Sequence, residues 1–205
     1  MKITESAKRA ALKRIFKAGG SADSKLYQFS DNGKWTICNG FVWANYSELV
    51  ADMPSQTKKE HYFDNIFKYN KMVEEDGAMF KKPFKPVKTV SFDEIKSYCK
   101  VANYLYKMGD IREPLNRPYF EVDGYIYNAE YIRDAIALCD MGGDIELSIN
   151  KEDKFSPLCI VCYSKNSLCV FNSAYIMPIR VTEQGANLAK IINGEYLKRL
   201  NKCAA

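Results

Sequence analysis

Seven cysteines, one histidine and scattered carboxylates are the residues in this chain that could do chemistry. Cys159-Ile160-Val161-Cys162 has C-x-x-C spacing, with Cys169 nearby. A metal site needs its thiols on one side, and a thioredoxin-type pair must open a helix. The apolar run 157–164 reads instead as a strand, in which positions i and i+3 project to opposite faces. These therefore read as core cysteines. His61 is the only histidine, which excludes any site built on two. Its surroundings, KKEHYFDN, supply no nucleophile motif for it to activate, and it reads as a surface residue. The glycines of MGGD (141–144) follow a helix, whereas a phosphate cradle opens one; they read as a helix C-cap. Glu94-Ile95-Lys96 has the E-x-K spacing of metal-dependent nucleases, which need it on a strand beside another carboxylate. Here Ser91 and Glu94 form a capping box that starts a helix. No catalytic group, metal or cofactor emerges, and the expectation is a protein that is not an enzyme.

Those residues must be carried by an ordinary globular chain. It has 205 residues, 47% hydrophobic and 27% charged, which suits one large domain or two small ones. No run reaches the roughly 18–20 apolar residues of a membrane helix. The N-terminal stretch has no apolar core of a secretory signal. An odd number of scattered cysteines fits a reducing compartment. The expectation is a cytoplasmic protein with no membrane partner. Net charge is +5, and residues 1–20 hold six cations against Glu5 alone. A local basic face suits nucleic acid or an acidic partner, or is simply a solvated helix face.

Residues 4–18 read as a helix, with Ala7, Ala11, Ile15 and Ala18 on one stripe and Thr4 or Ser6 as cap. Lys8, Arg9, Lys13, Arg14 and Lys17 lie mainly outside that stripe. Strands at 25–30, 34–38 and 41–46 are joined by Asp31-Asn32-Gly33 and Asn39-Gly40, which marks an antiparallel meander. Residues 51–117 change character. A polar, helix-like stretch precedes KKPFKPVK (81–88), which should be extended or loop and could track a phosphate backbone with Phe84 on a base. A capped helix follows over 91–109. The last third reads as a strand pair with a D-G turn (119–128), a helix (129–139), and strands at 145–150, 157–164, 168–172 and 174–181. An amphipathic helix spans 182–200.

The order of motifs over 119–181 resembles the C-terminal domain of the bacterial DNA polymerase III β subunit, the DNA sliding clamp. The helix matches through Asn128, Tyr131, Ile132, Asp134, Ala135 and Ile136. Ser156-Pro157 matches the penultimate strand, and Met177-Pro178-Ile179-Arg180-Val181 matches the family's final M-P-x-R strand. The resemblance implies an α+β fold, a DNA-clamp-like domain of antiparallel strands packed with helices. It also organises the chain as one clamp-like domain, with a core at about 1–50 and 118–181, a helical insertion at about 51–117 and an added C-terminal helix at 182–200.

The same resemblance implies function. A clamp-like, non-catalytic, DNA-associated protein of the kind carried by phages or other mobile elements would contact duplex DNA through Lys8, Arg9, Lys13, Arg14 and Lys17. Met177, Pro178, Ile179 and Arg180 would line a pocket for a protein carrying a short clamp-binding motif. A ring around DNA would need a homo-oligomer of six such domains. The alternative is a protein-interaction module that keeps the fold without encircling DNA. The negative charge of helix 129–139, the insertion and the added C-terminal helix favour that alternative.

Overall fold

The computed structural model describes residues 3–18, 27–31, 34–39, 41–47, 84–107, 118–152 and 156–179, together with 187, 190–192, 194–196 and 198. Helix α1 (Glu5–Ala18) leads into strands β1 (Tyr27–Asp31), β2 (Lys34–Cys38) and β3 (Val42–Ser47). Then come β4 (Lys85–Val90), α2 (Phe92–Lys107), the pair β5 (Tyr119–Val122) and β6 (Tyr125–Asn128), and α3 (Ala129–Cys139). Strands β7 (Gly142–Ile149), β8 (Leu158–Ser164) and β9 (Ser167–Ile176) complete the sheet. The scattered residues from 187 to 198 are helical.

Among the described residues the fold is mixed α and β, and every strand pairing is antiparallel. Seven strands form one sheet in the order β1-β2-β3-β9-β8-β7-β4, and β5-β6 form a separate hairpin. Period-2 alternation decides which face is buried. Leu147 lies opposite Ile160, Ile160 opposite Ala174, and Leu158 opposite Ile176, and all five are fully buried. Val42, Ala44 and Ile37 extend that buried face across β3 and β2. Helix α3 packs across β3, β8 and β9, with α1 and α2 against its sides. The stripe Ala11, Leu12 and Ile15 of α1 is buried, as its helical spacing predicts.

Local chemistry sets the element ends. Thr4 Oγ1 caps α1 by accepting the Ala7 N–H at 3.3 Å, and Asn128 Oδ1 caps α3 by accepting the Glu130 N–H at 2.9 Å. Ser91 Oγ caps α2 by accepting the Glu94 N–H at 3.0 Å. The Glu94 carboxylate does not complete a capping box; it pairs with Lys88 of β4 at 2.7 Å. The β5–β6 turn uses Asp123 (φ 49°) and Gly124 (φ 86°), the positive-φ pair that a two-residue hairpin requires.

Two elements differ from the sequence reading, and a third, read as extended or loop, proves to be a strand. Strands 168–172 and 174–181 are one strand, β9, which runs from Ser167 to Ile176 because nothing at Ser173 interrupts pairing. MGGD is not the cap of the helix before it. Asp140 ends α3, while Gly142 and Gly143 already belong to β7. At Gly143 a Cβ would stand 2.5 Å from the Tyr163 carbonyl oxygen of β8, so close strand approach demands glycine here. The segment KKPFKPVK supplies β4, an edge strand whose pairing shifts between Pro86 and Lys88. Proline, lysines and a bulge are tolerated at an edge and discourage further pairing there. Residues 84–107, assigned by sequence to the insertion, thus give the sheet a strand and the helical layer α2, whose Ile95, Tyr98 and Ala102 are buried. The remainder of the stretch before residue 84, with His61, lies outside the described residues.

Candidate interaction surfaces

The end of β9 is built by a proline. Pairing within the sheet stops at Ile176. Met177 then donates its N–H to the Phe41 carbonyl at 2.9 Å, and Ile179 donates to the Ile126 carbonyl of β6 at 2.8 Å. Pro178 lies between these two donors and has none of its own. The chain therefore steps from the large sheet to the small hairpin over three residues. This is why a strand-like run carries a proline at 178.

Phe41 sits at the same place because of Asn39. The buried Asn39 side chain accepts the N–H groups of Phe41 (3.0 Å) and Val42 (2.8 Å), and donates to the Ile15 carbonyl of α1 at 3.3 Å. That turn fixes the backbone of Phe41 and leaves its side chain 49% exposed. Met177 is 45% exposed. The Phe41 ring stacks on Tyr131 of α3, with centroids 6.2 Å apart and planes inclined by 23°. Ile179 packs partly against the core, and Arg180 lies outside the described residues. Phe41 and Tyr131 are neighbours of the M-P-x-R segment that sequence reasoning did not assign to a site. Nothing in the spacing of residues 41, 131 and 177 marks their proximity.

The cations of α1 do not form one open row. Lys8 is 8% exposed, and its ammonium donates to the Asp140 carbonyl at 2.9 Å; it faces the protein, so it does not project toward a phosphate as the sequence reading expects. The side-chain carboxylate of Asp140 accepts the Ile3 and Gly142 N–H groups, each at 3.1 Å. Arg14 forks onto Asp134 of α3, with Nη2–Oδ1 at 2.8 Å and Nε–Oδ2 at 2.9 Å. Arg133 adds a third guanidinium contact, Nε–Oδ1 at 2.9 Å. The Asp134 carboxylate of helix 129–139 is thus matched by Arg14 of α1 and by Arg133. Arg9 stands 3.6 Å from Glu5, both about half-exposed, and Lys13 is exposed. The side chain of Lys17 lies outside the described residues.

Other candidates resolve into structure. Phe84 packs edge-on to Tyr175 at 5.9 Å, and Lys88 lies 5.4 Å from the Phe120 ring centre. Cys159 lies opposite Tyr175 and Cys162 opposite Asn172 in β9, so the two thiols belong to opposite faces of the sheet. Burial pushes the Cys159 and Cys99 thiols up to about 12, and raises Cys139 and Cys162 also. They stay protonated at neutral pH and are poor nucleophiles. Among the described residues, no group of three or more His, Cys, Asp or Glu side chains is placed to hold a metal ion. A cleft of about 260 Å³ lies between the starts of α1 and α2, lined by Thr4, Ser91, Asp93, Lys96, Asp140 and Asp144. It mixes both signs of charge. Among the described residues, no helix is long and apolar enough to cross a membrane. No family model, curated protein or solved structure matches the chain.

Proposed function

We propose that this chain is a non-catalytic protein-interaction module that receives a short peptide segment with apolar anchors where β9 ends. The observation that carries the reading is that two exposed apolar residues, Phe41 and Met177, are joined by a backbone hydrogen bond where β9 ends. A flexible thioether beside an aromatic ring adapts to different anchors. A preformed backbone spares the partner the cost of ordering it. The resemblance of residues 119–181 to a sliding-clamp domain supports the same location, since that family takes peptide motifs along its M-P-x-R strand. In this reading the clamp-like arrangement is retained as a scaffold and is not closed around DNA.

Selection from a random displayed-peptide library tests it. Enriched peptides should carry aromatic or aliphatic anchors, and should bind at least about tenfold more weakly, about 1.4 kcal/mol, to Met177→Asp and to Phe41→Ser. Both variants should keep the thermal midpoint of the native chain within a few degrees. No enrichment, or equal binding to both folded variants, would overturn the proposal.

The second reading, a clamp-like protein on duplex DNA, is favoured by one observation: Arg9 and Lys13 remain toward solvent on α1. A ring would need six chains of 23.5 kDa. Light scattering with and without short duplex DNA separates the readings. A mass near six chains supports the ring, and a monomer or dimer unchanged by DNA supports the interaction module.

A further inference from the structure

We draw no further inference here: the strongest candidate, the face of the seven-stranded sheet turned away from the helices, where Trp43, Tyr175 and Phe84 adjoin one another and the buried Trp43 indole N–H has no hydrogen-bond partner among the described residues, carries nothing because no observation in the structure shows what covers that face.

Discussion

Arg14 and Asp134 lie 120 residues apart in sequence and form a bidentate ion pair that fastens α1 to α3. Asp134 is 3% exposed and Arg14 47%, so the carboxylate is the partner with no access to water. Removing it should cost more than its own contacts, because two guanidiniums lose their shared acceptor. Asp134→Ala is expected to destabilise by about 2–3 kcal/mol, and Arg14→Ala by about 1–2 kcal/mol, since Arg133 still serves the carboxylate. Urea unfolding of both single variants and the double variant checks this. A coupling energy near zero would mean that the pair contributes nothing.

Lys8 and Lys13 sit on the same helix and should behave oppositely. Lys8→Ala removes a buried donor and leaves the Asp140 carbonyl short of a partner, at about 1–3 kcal/mol. Lys13→Ala should stay within about 0.5 kcal/mol. If the chain binds duplex DNA through α1, at most Arg9, Lys13 and Lys17 reach phosphates. The slope of log K against log salt should then be no steeper than about −2.7, whereas five contacts would give about −4.5. A titration at three salt concentrations distinguishes the two.

The buried thiols make stability fall in alkali. Burial raises Cys99 and Cys159 from 9.0 to about 12, so the folded chain keeps protons that the unfolded chain releases. Unfolding then becomes more favourable as pH rises through that interval. Their contribution is fully present below pH 9 and is lost between about 9 and 12. Melting at pH 8, 9 and 10 should show a decline that is shallower in Cys159→Ala than in the native chain. In native conditions near pH 8, Cys99, Cys139, Cys159 and Cys162 should resist a thiol reagent and react only once denaturant is added. Rapid native labelling of these four would refute their burial.

Gly143 and Gly124 are both turn-like in sequence, but their structural demands differ. Gly143→Ala drives a methyl against the β8 backbone at Tyr163, with an expected loss of about 1–3 kcal/mol. Gly124→Ala meets nothing within 4 Å but sits at φ +86°, so its cost of about 1–2 kcal/mol is conformational alone. Gly124→Asn, which tolerates positive φ, should recover much of that loss, and Gly143→Asn should not. Thermal unfolding of the four variants checks the contrast.

Much of the secondary structure was legible because it rests on local rules. The stripe of α1, the Asp123-Gly124 turn, the Ser91 cap and the apolar runs of β7 and β8 all follow from short-range periodicity and turn chemistry. What was not legible depends on partners far away in sequence. Pro86 and two lysines argue against a central strand, but whether their segment joins an edge depends on β7 being there. Lys8 is the kind of residue that stays at a surface, and it is the Asp140 carbonyl, 132 residues on, that holds it inward. The candidate site divides in the same way. Met177 and Pro178 were marked by their motif. Phe41 and Tyr131 became visible only when the Asn39 turn and α3 were brought beside the end of β9.

Pro178 also marks the boundary between two separately hydrogen-bonded sheets. The amides on either side of it are held by different sheets, Met177 by the β2–β3 turn and Ile179 by the β5–β6 hairpin. They therefore act as adjacent reporters of separate opening events, with no shared hydrogen bond to couple them. In amide hydrogen exchange, the Met177 proton is expected to follow the opening of the large sheet and the Ile179 proton that of the hairpin. A partner gripping the junction would have to slow both, whereas one touching only the sheet would slow the first alone.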